Sequence, residues 1–156
     1  MINNYKRAED MPTAGFAAGP CLYKDTIQLS NYYKNNFIIG SSAVKINENL
    51  PKFIVKKLKS KYNLKNTTIG ILGMAFKANI DDSRDSLSFK LKQLLKHHCA
   101  NVICSDEYIK NPSFISKEEL IQKSHIIIIG SPHDKYRNLN FKQKKLINIW
   151  NNNKNI

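Results

Sequence analysis

Cysteine is scarce in this sequence, and no two cysteines stand in a metal-binding or redox spacing. Cys21, Cys99 and Cys104 are an odd set without a CxxC pair. That argues against a disulfide framework and a thiolate zinc site, and it suits a reducing compartment, with the cytoplasm as the expected location. No His/Cys/Asp cluster has metal-ligand spacing. Long apolar runs are missing as well. No stretch is long enough to span a bilayer, and no signal-type apolar segment opens the chain. Ile126 to Ile129 is short and reads as a buried strand. Acidic residues are few: 12 Asp and Glu against 25 Lys and Arg, a formal charge of +13. Such an excess can attract nucleic acid, anionic lipid or phosphorylated ligands. The lysines are scattered among Asn and Ile, however, and no zinc finger, aromatic RNA-binding signature or basic helix accompanies them. A dedicated nucleic-acid surface is therefore not expected.

What is present fits one domain, or a small domain with an appendage, in 156 residues of which 42% are apolar. Residues 1–14 are polar and irregular. A helix is predicted from Cys21 to about Tyr33, then a loop, then a short buried segment at Phe37-Ile-Ile. Residues 41–61 read as the best helix, capped by Ser41 or Ser42. Its Ala43, Ile46, Leu50, Ile54 and Leu58 recur at helical spacing, and Pro51 should kink or break it. Residues 62–66 are a candidate boundary. Strands follow at 67–73, 101–105, 125–130 and 145–150. Between them Ser86 caps a helix whose Leu87, Leu91, Leu94, Leu95 and His98 share a face. Ser116 opens a second helix through a capping box with Glu119. Strands alternating with helices imply an α/β fold, with a helical segment leading into a Rossmann-like parallel sheet. Gly70 and Gly73 do not make GxGxxG, so the standard dinucleotide fingerprint is lacking.

The richest chemistry lies in Gly15-Phe-Ala-Ala-Gly-Pro-Cys-Leu-Tyr-Lys-Asp-Thr26. Gly15, Gly19 and Pro20 shape a loop. If Pro20 sits in the first turn of a helix, Cys21 stands at its N-terminus, where the macrodipole and Lys24 both favour a thiolate. Asp25, four residues on, shares the face of Cys21 and could handle a water or a proton. On the residues alone a second reading stays open: most single cysteines are buried small hydrophobes, and Lys-Asp-Thr is often a solvated helix start. His97 and His98, late on a helix, read as structural. His133, just after a strand, is either structural or turned to a ligand at the carboxyl end of the sheet.

Three ordered blocks carry a resemblance: Ala14 to Leu29, which contains that loop; Ala43-Val-Lys-Ile-Asn-Glu-Asn-Leu-Pro51; and Leu72-Gly-Met-Ala-Phe-Lys-Ala-Asn-Ile-Asp-Asp-Ser-Arg-Asp-Ser86. Together they resemble the catalytic-cysteine segment, linking helix and second signature of the UDP-glucose/GDP-mannose dehydrogenase family. The resemblance implies that residues 1–62 end a central helical, dimer-forming domain and that 63–156 form a Rossmann-like UDP-sugar-binding domain. It implies an oxidation of a sugar C6 alcohol to the carboxylate with NAD as cofactor, Cys21 holding the carbon as thiohemiacetal and thioester. Asp25 would manage the water or proton, and Lys24 would lie at the edge of the cofactor pocket. Phe16 and Gly19 would line the sugar. Lys77 would contact the nucleotide sugar, Arg84 would reach NAD, and Arg7 would reach a neighbouring subunit's ligand. Asp81 and Asp82 read as loop and capping groups.

The family's NAD domain and the central-helix lysine and asparagine that support its oxyanion have no counterpart in the matched blocks. The expectation is a chain that is inactive alone. It would work as a homodimer or higher oligomer, or with a separate NAD-domain chain, on a nucleotide sugar such as a UDP-sugar. The alternative is a non-catalytic sugar-nucleotide-binding or assembly module. Neither reading involves specific nucleic acid or a membrane.

Overall fold

A computed structural model describes residues 14–34, 36–99, 101–141 and 143–150. The elements run α1 (Leu22–Tyr32), α2 (Ile38–Lys61), β1 (Thr68–Leu72), α3 (Leu87–Lys96), β2 (Asn101–Ser105), α4 (Lys117–Lys123), β3 (Ile126–Ile129) and β4 (Lys145–Asn148). The strands form one parallel sheet in the order β2-β1-β3-β4. The α/β class read from the alternation of strand and helix is therefore the observed one.

The two central strands are apolar throughout because both faces of the sheet are covered. Successive side chains point to opposite faces. Ile69, Ile71, Ile126 and Ile128 pack with Ile54, Val55 and Leu58 of α2 and with Leu87, Leu91 and Leu95 of α3. Leu72, Ile127 and Ile129 pack on the other side with Leu120 and Ile121 of α4. Gly70 lies on that second face. A Cβ there would meet the Leu120 side chain at 2.5 Å and Ser124 Oγ at 2.3 Å, so its hydrogen is what lets α4 close on β1.

Ser86 and Ser116 cap α3 and α4 as the sequence indicates, accepting from the backbone N–H of Ser88 and Glu119. Elsewhere the boundaries differ. The Phe37-Ile-Ile stretch is not a buried segment. Ile38 and Ile39 form the exposed first turn of α2, so that helix starts before Ser41 and Ser42 and neither caps it. Ser41 instead donates to Phe37 O and shares a 2.6 Å hydrogen bond with Ser30. Pro51 does not end α2; it is buried inside it, where packing on the core offsets the missing hydrogen bond. Residues 62–66 are a tight connection rather than a loose one. Leu64 is buried in a 3-10 turn capped by Asn63, and Thr67 Oγ1 donates to Asn63 O. β4 stops at Asn148 because its side chain accepts the Trp150 N–H and turns the backbone away.

The loops at the carboxyl ends of β1, β2 and β3 are tied by one carboxylate. Asp106, directly after β2, accepts from Met74 N and Ala75 N across the sheet, from Tyr108 N and Ile109 N in its own turn, and from His133 Nε2 after β3, all at 2.6–3.1 Å. Its side chain and that of His133 are fully shielded from solvent. Asn79 N–H donates to His133 Nδ1 at 2.8 Å, which leaves the ring proton on Nε2, facing Asp106. Asn79 itself has φ +59, a left-handed conformation that Asn tolerates, and its side chain exchanges hydrogen bonds with Asp134. His133 is thus a buried link between loops, packed between Tyr108 and Tyr136.

Burial pushes the Asp106 carboxyl upward. The hydrogen bonds from His133 and from the amides of Ile109, Tyr108 and Met74 outweigh it and hold the group down to about 2. A carboxylate held below its unfolded value adds stability above about pH 4 and loses it as pH falls towards 2, here ~2 kcal/mol. Asp106→Asn offers these donors no charge and an NH2 in place of one oxygen. Urea unfolding of that variant at neutral pH should show a loss of about 3 kcal/mol, with a flatter stability profile between pH 4 and 2 than the parent chain.

Candidate functional site

The loop before α1 is held at three points. Asn47 of α2 grips the Ala17 backbone from both sides: its Oδ1 accepts the Ala17 N–H at 3.1 Å and its Nδ2 donates to Ala17 O. Gly15 lies against the Trp150 indole, where any Cβ would fall within 2.1 Å of the ring. Trp150 is fixed in turn by its Nε1–H donating to Gly130 O at 2.9 Å. Phe16 between these points is buried in the main core. Gly19, at φ +125, faces the Phe76 ring, which a Cβ would approach to 3.0 Å. Only glycine meets both demands, a left-handed φ and contact with an aromatic face.

Cys21 follows as the N-cap residue of α1, and its carbonyl accepts the Asp25 N–H at 2.8 Å. The placement of the thiol at a helix N-terminus therefore agrees with the sequence reading, with Pro20 just outside the helix rather than in its first turn. The thiol is exposed. Lys24 and Asp25 form a 3.4 Å ion pair with each other, both largely in solvent, and Asp25 stands one helical turn after Cys21.

The third block reaches the same place from the sheet. The β1–α3 loop leaves Leu72 through Gly73, is pinned from behind by Asp106, and closes with Phe76 N donating to Asp82 O at 3.0 Å. That puts the Phe76 ring on Gly19. The Lys77 ammonium stands 5.8 Å from the centre of the same ring, exposed and without a carboxylate partner among the described residues. Asp82 behaves as the capping group it was read to be, accepting Arg84 N and binding the guanidinium through both oxygens. The guanidinium lowers the Asp82 carboxyl, and Asp82 in return raises Arg84.

Gly19, two residues before Cys21, and Phe76, next to Lys77, thus meet where the loop before α1 meets the β1–α3 loop. Phe16, expected to line a sugar, is instead buried in the core, and Arg7 lies outside the described residues. Beside the loop is a cleft of about 220 Å³ bounded by Gly19, Leu22, Tyr23, Asn47 and Asp85. The arrangement offers a nucleophile at a helix N-terminus with two cations nearby, suited to an anionic ligand carrying an electrophilic carbon. Sequence reasoning missed Asn47, Phe76 and Trp150. Phe76 stood inside the third block, next to Lys77, and Asn47 inside the second; Trp150 gave no local signal. Among the described residues no group of three His, Cys, Asp or Glu could hold a metal, and no helix is long and apolar enough to cross a membrane.

The β1 turn does not suit a dinucleotide. A pyrophosphate needs the free amides that open the helix after β1. Here α3 does not begin until Leu87, and the Met74 and Ala75 amides directly after β1 are taken by Asp106.

Residues 70–153 match the family model described as the UDP-glucose/GDP-mannose dehydrogenase family, UDP binding domain. The chain belongs to the UDP-glucose/GDP-mannose dehydrogenase family. Among relatives, the UDP-N-acetyl-D-mannosamine dehydrogenase of Methanocaldococcus jannaschii is 28% identical over 159 residues, covering 99% of this chain and 36% of that protein. The Pyrococcus horikoshii enzyme of the same name is 28% identical over 146 residues, covering 90% and 35%. A solved structure of UDP-D-ManNAc dehydrogenase from Pyrococcus horikoshii superimposes with a TM-score of 0.75 at 26% identity, over 88% of this chain and 35% of that one. GDP-mannose dehydrogenase from Pseudomonas aeruginosa shares the fold, with a TM-score of 0.74 at 20% identity over 94% of this chain and 39% of that one. The chain spans about a third of the length of the family members it matches.

The loop grip by Asn47 is open to a local test. In Asn47→Ala, hydrogen exchange at the Ala17 amide should speed up about tenfold while the melting temperature moves by only a few degrees. Unchanged exchange would mean that Phe76 and Trp150 hold the loop without Asn47.

Proposed function

We propose that this chain is the sugar-nucleotide-binding part of an NAD-dependent nucleotide-sugar 6-dehydrogenase, inactive by itself. The observation that supports this reading best is the Phe76 ring, touched by Gly19 of the cysteine loop and overhung by the Lys77 ammonium. Through it, the loop that carries Cys21 and the turn that carries Lys77, far apart in sequence, come into contact. In this reading Lys77 neutralises the diphosphate, and Phe16 and Gly19 shape the loop that the sugar lies against. Cys21 Sγ bonds to the C6 carbon, first as a thiohemiacetal and then as a thioester, so that the aldehyde does not escape between the two oxidations. Water releases the carboxylate and frees the thiol, with Asp25 as the nearest carboxylate in sequence to accept its proton.

NAD would be bound by a polypeptide segment other than this sheet, since the Met74 and Ala75 amides directly after β1 are taken by Asp106. Arg84 would face that segment. The apolar stripe of Ile39, Ile46 and Phe53 on α2, exposed at seven-residue spacing, is where a second copy of the chain would pack. The cell compartment proposed is the cytoplasm.

A second reading, a sugar-nucleotide-binding module without catalysis, is favoured by one observation: Lys24 and Asp25 pair with each other in solvent. Both readings require UDP binding. Calorimetric titration of the chain with UDP should give a saturable isotherm, weakened about tenfold in Lys77→Ala, while mixing with UDP-glucose and NAD should produce no NADH. Absence of UDP binding would remove both readings. Steady NADH production would show that the chain needs no other segment.

A further inference from the structure

The turn that carries Lys77 is held at both ends by one carboxylate oxygen. At the front, Asp106 Oδ2 accepts the amides of Met74 and Ala75 at 2.6 and 3.0 Å. At the back it acts through an imidazole. His133 Nε2 donates to the same oxygen at 3.1 Å, and His133 Nδ1 accepts the Asn79 N–H at 2.8 Å. Phe76 and Lys77 lie between these anchors, with only Ala78 separating Lys77 from Asn79. The imidazole is fixed in place. Its side chain is shielded from solvent, and the rings of Tyr108 and Tyr136 pack on it with centres 4.9 and 5.2 Å away.

Asn79 needs that grip. Its φ of +59 is left-handed, a conformation that costs a non-glycine residue free energy unless something holds it there. Its side chain reinforces the same junction: Oδ1 accepts the Asp134 N–H at 3.0 Å, and Nδ2 donates to Asp134 Oδ2 at 2.8 Å. Lys77, by contrast, does little to hold itself. Its ammonium makes no ion pair among the described residues and lies 5.8 Å from the centre of the Phe76 ring. The backbone of the turn therefore decides where the ammonium stands, and Asn79 fixes that backbone. A residue between two anchored points has lost most of its φ/ψ freedom before a ligand arrives, so binding need not supply that ordering.

Resting on the reading of Lys77 as the cation that meets a diphosphate, we infer that His133 is a positioning residue for Lys77: anchored on Asp106 through Nε2, it accepts the Asn79 N–H through Nδ1 and so holds the Lys77 turn ready for the ligand. The two ring nitrogens then have different tasks. The Nε2 bond serves the fold, because it satisfies a buried carboxylate. The Nδ1 bond serves the ligand, because it fixes the turn. A histidine that only stabilised the fold would show no such division.

Two substitutions separate the nitrogens. Asparagine can place its amide oxygen where Nδ1 stands but does not reach Asp106. Glutamine can place its amide where Nε2 stands but offers Asn79 no acceptor. UDP is titrated calorimetrically into the whole chain and into each variant, and melting is followed by circular dichroism. His133→Gln should weaken UDP binding about fivefold and keep most of the melting temperature. His133→Asn should melt several degrees lower and yet rescue the affinity to within about twofold of the parent. Added to Lys77→Ala, His133→Gln should weaken binding no further, because the group it positions is gone. Affinities that follow the melting temperatures, with His133→Asn the weaker binder, would overturn the inference. So would a full effect of His133→Gln in the absence of Lys77. A parent chain that does not bind UDP, or that binds it equally well as Lys77→Ala, removes the functional reading and the inference with it. Binding that needs Lys77 and ignores His133→Gln removes the inference alone. If neither His133 variant folds, the parent chain decides: without UDP its Asn79 amide should exchange about a hundredfold more slowly than a free amide, and exchange at the free rate would show the turn unheld and overturn the inference.

Discussion

A single buried carboxylate decides how this sheet presents its loops. Asp106 stands at the end of β2 and draws in amides from the β1 turn, amides from its own turn and the imidazole that follows β3. Three loops from three strands therefore share one anchor. A charge so far from water is tolerable only because every approach to it is a donor. The same anchor explains why a parallel βαβ sheet lacks the behaviour expected of a dinucleotide fold. The Met74 and Ala75 amides directly after β1 already serve Asp106, and the β1–α3 loop runs on to Leu87 before the next helix opens.

That loop gives the site its form. With Met74 and Ala75 pulled back, Phe76 and Lys77 project towards the loop before α1. Gly19 lets that loop meet the Phe76 ring, Asn47 holds its backbone, and Trp150, braced by Gly130, lies over Gly15. Elements from both ends of the described chain thus close on one small region around Cys21. Family membership is consistent with this geometry, since the matched model describes a UDP binding domain and covers the sheet and its loops.

Much of the fold was legible because it rests on local rules. Four β-branched or apolar runs, two serine caps and the spacing of leucines in α3 name the elements directly. The start of α2 was not legible. Ile38 and Ile39 look like core residues, yet they lie in a first turn whose apolar side chains stay exposed. Pro51 read as a break because local preference ignores what the core contributes, and its burial keeps the helix whole. In the site, the resemblance picked out the loop of Cys21 and the turn of Lys77, which meet through Gly19 and Phe76. It also picked out Lys24 and Asp25, whose side chains settle on each other. The anchors were hidden for a plain reason. Asp106 and His133 act on residues 74, 75 and 79, tens of positions away, and Asn47 acts across 30. No periodicity encodes such contacts.

The most direct measurement is a chemical one. A short heterobifunctional reagent, maleimide at one end and succinimidyl ester at the other, can be anchored on the exposed Cys21 thiol and allowed to find an amine. If the two loops border one space, peptide mapping by mass spectrometry recovers a Cys21–Lys77 link beside the trivial one to Lys24, and the link vanishes in Lys77→Arg. Recovery of links to Lys24 and to the lysines of α2, with Lys77 unmodified by the anchored reagent though reactive to free ester, would contradict the account.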